Sequence, residues 1–238
     1  MFRKIKNINI NYHQYGEGKD VVLLHGWGQN IEMMTPLGNL LKDNHRVTIV
    51  DLPGFGLSEE PDYAYNVYDY VDLLEELFRE LKIKKPSLIG HSFGGRLSII
   101  YASKNDVERL VLFGSPCVRH EHKSLKQSVF KAIKKIKILA PISEFAKKYI
   151  GSPDYKNAKG VMRDILVKTV NEDLSECAKR IKCPTLLIWG ENDEAVPLEE
   201  ARELENLLLD GALIVLPGTH YCYLENLRQV ENILDNFL

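Results

Sequence analysis

Residues 88–96 read LIGHSFGGR, and this stretch decides the fold. The apolar run SLIG (87–90) has the composition of a buried strand, and FGGRLSIIYAS (93–103) that of a helix. Ser92 falls at the junction, with Gly90 two residues before it and Gly94 two residues after it. A strand that turns abruptly into a helix at G-x-S-x-G holds the serine in a strained conformation, with its hydroxyl raised above the sheet edge. The glycines then have a steric purpose, because strand and helix meet too closely at that turn for Cβ atoms. The helix that follows points its N-terminus at the site and favours negative charge there.

Outward from this turn, short apolar runs recur at 21–26, 47–52, 109–115, 185–190 and 212–218. Each is about six residues of mainly Val, Ile and Leu, stopped by Gly, Pro, Ser or Asp; such near-continuous runs suit strands covered on both faces, as in a parallel sheet. Helical patterns lie between them at 66–82, 93–104, 198–209 and 223–237. This alternation predicts a mostly parallel, doubly wound α/β sheet. At the N-terminus, Ile5, Ile8 and Ile10 stand among polar residues and predict one or two antiparallel edge strands. Between 115 and 184 no strand pattern occurs, while 124–140 and 160–174 look helical. A single crossover does not need that length. We expect a helical cap at 116–176, inserted into a core of 1–115 and 177–238.

Composition narrows the function. The chain has 238 residues, 45% of them apolar, enough for one buried core. Its net charge of −2 gives no whole-protein field that points to nucleic acid. The opening MFRKIKNINI lacks the apolar run of a signal peptide, and no stretch approaches the length of a membrane-spanning helix. Cys117, Cys177, Cys183 and Cys222 lie far apart and form no C-x-x-C pair, which fits free thiols in a reducing cytoplasm and no metal site. Charge is uneven, however: residues 116–170 hold 13 Lys/Arg against 4 Asp/Glu. On a helix over 124–140, Leu125, Val129, Ile133 and Ile136 would share one face, with Lys126, Lys131, Lys134, Lys135 and Lys137 over most of the rest. Those lysines read first as a solvated cap face. They read second as a docking surface for an acidic carrier protein, and third as a contact with an anionic membrane surface.

A serine is a weak nucleophile without a base that a third group orients. Among seven histidines, His220 follows the last predicted strand and emerges at the same sheet edge as Ser92. His91 adjoins Ser92, but neighbours at a sharp turn point apart; His25 more naturally supports its own loop. His13 and His45 read as surface residues, and His120 and His122 lie in the expected cap. For the acid, WGENDEAVP (189–197) places three carboxylates past the penultimate strand. Asp193 sits deepest in that turn and is the first choice, with Glu191 the fallback. Asp51 reads as a holder of its loop. The chain order Ser, Asp, His is that of one hydrolase design. The oxyanion needs preplaced donors; the N–H groups of Phe93 and Trp27 are the candidates, with both side chains lining the substrate pocket.

These residues together resemble the α/β-hydrolase superfamily, in its cap-bearing serine esterase branch. HGWG (25–28), DLPGFGLS (51–58), GHSFGG (90–95), WGENDEAVP (189–197) and PGTHYCYLEN (217–226) follow the family's signature segments in order. HGWGQN with DLPGFGLS is most similar to the carboxylesterases that cleave pimeloyl-acyl-carrier-protein methyl ester. The resemblance implies an α/β-hydrolase fold, a Ser92–Asp193–His220 triad and no cofactor. Serine at the nucleophile position argues against the dehalogenase and epoxide-hydrolase branches. The expected activity is hydrolysis of a small or medium carboxylic ester through an acyl-enzyme. Cleavage of a thioester or carbon–carbon bond by the same triad is an alternative, as is a ligand-binding or signalling module that keeps the triad.

Overall fold

The computed structural model describes residues 1–119 and 158–238. The helix expected at 124–140, its lysines, His120 and His122 lie outside the described residues.

Eight strands form one sheet among the described residues: β1 (Phe2–Ile5), β2 (Ile8–Tyr15), β3 (Lys19–Leu24), β4 (His45–Val50), β5 (Ser87–His91), β6 (Leu110–Phe113), β7 (Thr185–Gly190) and β8 (Gly211–Leu216). Their order is β1-β2-β4-β3-β5-β6-β7-β8. β1 and β2 are antiparallel to their neighbours, and β4 through β8 pair in parallel. The mostly parallel, doubly wound sheet expected from the alternation is therefore present. Its parity is visible in β3: Val22 and Leu24 enter one apolar cluster, Val21 and Leu23 the other, and all four are fully buried. A side-chain period of two, with apolar residues at every position, requires cover on both faces.

That cover comes from α1 (Ile31–Leu41), α2 (Val67–Glu80), α3 (Phe93–Lys104), α4 (Gly160–Thr169), α5 (Ser175–Ala178), α6 (Leu198–Leu207), α7 (Cys222–Glu225) and α8 (Leu227–Phe237). α1 and α8 cover one face; α2, α3 and α6 cover the other. α2 starts on a capping box, in which Asn66 accepts from the N–H groups of Tyr68 and Asp69 while Asp69 accepts from Asn66 N–H. Such a cap stabilises a helix by about 1 kcal/mol.

Two departures from the expected elements occur. The segment IEMMTPLGNLL, not among the helical patterns given above, forms α1 with Pro36 and Gly38 inside it. Gly38 is required by packing, since a Cβ there would strike Tyr15 Oη and Ile49 of the sheet beneath. Residues 223–237 form two helices, α7 and α8, that join at Asn226, whose side chain bonds the Cys222 and Pro217 carbonyls. Among the described residues no helix is long and apolar enough to cross a membrane.

The loops at the C-terminal edge of the sheet are stitched from inside. Asp51 accepts from Ile31 N–H, Asn11 Nδ2 and Leu57 N–H at 2.7, 2.8 and 2.8 Å. His25 Nε2 accepts from Leu52 N–H at 3.0 Å, so its Nδ1–H donates to the Gly26 carbonyl at 2.7 Å. Burial holds the His25 pKa down to about 4, despite that bond and the Asp51 charge. An unfolded ring takes its proton near pH 6.5, the folded one only near 4. The stability carried by the neutral ring is therefore full above pH 6.5 and is lost as pH falls towards 4. A shift of this size corresponds to about 3 kcal/mol. We expect urea titrations across pH 7 to 4 to show that loss. His25→Asn, which has no ring to protonate, should show a dependence shallower by about one proton.

Candidate active site

Ser92 occupies the turn between β5 and α3 with φ 50° and ψ −109°. This backbone region costs a non-glycine residue of order 1–3 kcal/mol and persists only where the surroundings enforce it. Enforcement is visible: Ser92 N–H donates to the Phe113 carbonyl at 2.9 Å, Gly94 N–H to the His25 carbonyl at 3.0 Å, and Arg96 N–H to the Ser92 carbonyl at 3.1 Å. A Cβ on Gly90 would collide with the backbone of Gly95, and one on Gly94 with the Leu24 and His25 carbonyls. The two motif glycines are thus where strand, helix and the end of β3 touch.

His220 lies in the loop after β8. That loop is pinned by Glu225, which accepts from both the N–H and the hydroxyl of Thr219 at 2.7 Å. Its Nδ1–H donates to Asp193 Oδ2 at 2.8 Å. The Asp193 side chain is fully buried, and its Oδ1 accepts from Ala195 and Val196 N–H at 2.9 and 2.8 Å. A carboxylate accepts only, so its bond fixes the proton on Nδ1 and leaves the Nε2 lone pair available. Glu191 and Glu194 of the same turn are exposed.

A cavity of about 350 Å³ is lined by Ser92, His220, Trp27, Phe93, Leu166 and Val170, among others. Ser92 and His220 meet in facing it; among the described residues no hydrogen bond joins Ser92 Oγ to His220. Trp27 stands edge-on to Phe93 and Phe55, with centroids 5.3 and 4.9 Å apart. Such aromatic contacts fix the wall beside the serine. The N–H groups of Trp27 and Phe93 take no part in the backbone hydrogen bonds of the described residues.

Sequence reasoning missed two supports. Gly114 follows β6 with φ +47°, and a Cβ there would stand 2.8 Å from His220 Nδ1 and 3.1 Å from Asp193 Oδ2. The second is His91. Its Nε2–H donates to the His220 carbonyl at 3.0 Å, and its Nδ1 lies 3.1 Å from Gln29 Oε1, which accepts from Gly26 N–H. The residue before the serine thus braces the backbone of the histidine. Burial and the adjacent His220 hold its pKa well below the usual histidine range, so the brace is neutral. Among the described residues no cluster of His, Cys, Asp or Glu could hold a metal ion.

A model of the Alpha/beta hydrolase family matches residues 21–232. The chain belongs to this family. Several alpha/beta hydrolases resemble it over nearly their full length. The pimeloyl-[acyl-carrier protein] methyl ester esterase of Aliivibrio fischeri (strain MJ11) is 28% identical, covering 97% of this chain and 97% of the relative. The 2-hydroxy-6-oxo-2,4-heptadienoate hydrolase of Pseudomonas putida is 26% identical, covering 97% and 93%. Among solved structures, the enol-lactonase from Burkholderia xenovorans LB400 superposes with a TM-score of 0.79 at 20% identity, over 100% of this chain and 99% of that one. At that identity the superposition speaks for the α/β-hydrolase fold alone.

Proposed function

We propose that this alpha/beta hydrolase is a cytoplasmic, cofactor-free serine hydrolase that cleaves a carboxylic ester of a small or medium acyl group. One observation carries the reading. A serine held at φ 50° shares a cavity with a histidine whose other nitrogen is bonded to a buried carboxylate. Ser92 Oγ attacks the ester carbonyl while His220 Nε2 takes its proton. Asp193 keeps the ring in the tautomer that can do so and stabilises the imidazolium that forms. Trp27 and Phe93 N–H groups donate to the oxyanion. His220 then returns the proton to the departing alcohol, and water, activated by the same ring, releases the acid from Ser92. On this reading residues 116–176 form a cap over the acyl side of the cavity. Leu174 N–H donates to the Cys117 carbonyl at 2.9 Å, so the two ends of the segment run side by side.

Similarity to the acyl-carrier-protein ester esterase favours an acidic carrier as the bearer of the acyl group, docked on the lysines of the cap. Similarity to the Pseudomonas hydrolase favours a second reading, in which the same groups cleave a carbon–carbon bond next to a ketone. Labelling with a fluorophosphonate followed by peptide mass mapping tests the common mechanism. The adduct is expected on Ser92, with turnover of p-nitrophenyl butyrate. An unmodified Ser92, or an adduct confined to other residues, overturns it. Relative rates on esters, thioesters and diketones then separate the chemistries.

A further inference from the structure

We propose that Arg96 is a positioning residue that sets which acyl chains the site accepts, by fastening both ends of the 116–176 segment to the helix that carries the serine. The inference rests on the proposed hydrolase function for its selectivity and on geometry alone for its fastening.

Arg96 lies one turn beyond Ser92 and is only 5% exposed. Its Nη1 donates to the Pro116 carbonyl at 3.1 Å; its Nη2 donates to the Thr169 and Glu172 carbonyls at 3.0 and 2.6 Å. Pro116 is where the chain leaves β6, and Thr169 and Glu172 are where it returns past α4. One guanidinium therefore grips two stretches more than fifty residues apart in sequence. The Thr169 carbonyl belongs to the last turn of α4, whose carbonyls have no partner within the helix. A cation is also favoured at that negative end of the helix dipole.

The grip bears on the cavity directly. Leu166 and Thr169 of α4 and Val170 just past it, together with Pro116 and Arg96, form part of the wall around Ser92. Bonds from a charged donor are roughly twice as strong as neutral ones. The planar fork of arginine holds its acceptors in a fixed geometry; the three donors of lysine share one point on a flexible stem. Ser92, Asp193 and His220 are held by other bonds, through Phe113, Val196 and Glu225. Loss of the Arg96 side chain should therefore loosen the acyl wall.

Two variants of the full chain, Arg96→Met and Arg96→Lys, test this. The labelling rate of Ser92 is measured with a short-chain and an octyl fluorophosphonate. In Arg96→Met the octyl-to-short ratio is expected to rise about tenfold over wild type. Arg96→Lys should fall between the two. Amide hydrogen exchange at 162–170 should accelerate at least about tenfold in Arg96→Met, as a locally released helix would show. A ratio that stays within about twofold of wild type overturns the proposal. If Arg96→Met does not fold, the ratio in Arg96→Lys decides by the same criterion. If wild-type Ser92 takes no label at all, the hydrolase reading has failed. Hydrogen exchange then decides the fastening alone, and unchanged exchange at 162–170 overturns it.

Discussion

Ser92→Ala should lower kcat/KM on a p-nitrophenyl ester by about 10⁵–10⁶-fold, the size found when a serine nucleophile that works with its base is removed. The substitution is clean for a structural reason. Alanine keeps the Cβ and inherits the same positive φ, and the three backbone bonds that shape the turn involve no atom of the hydroxyl. The melting temperature and far-ultraviolet dichroism should therefore match wild type while activity vanishes. Adding His220→Ala to Ser92→Ala should cost little more, because groups that act as one unit are grossly non-additive. Retention of even a tenth of the activity by Ser92→Ala would require another nucleophile.

Asp193→Asn is expected to cost about 10⁴-fold in kcat with the fold intact. The carboxylate now receives two backbone N–H bonds on Oδ1 and the imidazole proton on Oδ2. An asparagine can keep its oxygen under the two backbone donors, so the turn survives. Its NH₂ then faces Nδ1, which must become the acceptor. The ring proton moves to Nε2, and the lone pair that would take the serine proton is gone. Proton NMR of the imidazole region should show that switch, and kcat with KM nearly unchanged should report it. A variant with wild-type kcat would remove Asp193 from the mechanism and return attention to the acids beside it.

Much of this architecture could be read from residue order alone. Strands buried on both faces advertise themselves by runs such as VVLL and TLLI, because parallel packing leaves no polar face to interrupt them. Ser92 was legible because its turn demands glycines at fixed offsets, and Asp193 because a carboxylate deep in a strand-end turn finds backbone donors. α1, which holds Pro36 in its interior, was not among the expected helices; there tertiary packing overrides the cost of proline. The contributions of His91 and Arg96 were hidden for a different reason. Each acts by reaching carbonyls far away in sequence, and no local pattern records where a long polar side chain will end. The lysine-rich stretch at 124–140 shows in composition a charge whose use composition does not specify.

Position 114 contributes to the site by what it lacks. The space that a methyl group would fill is already taken by the imidazole and the carboxylate. A change as small as Gly114→Ala would wedge those two partners from their seats without altering any atom that reacts. Scanning a protein for reactive groups alone would pass over this residue, although the alignment of the whole assembly depends on the gap it leaves.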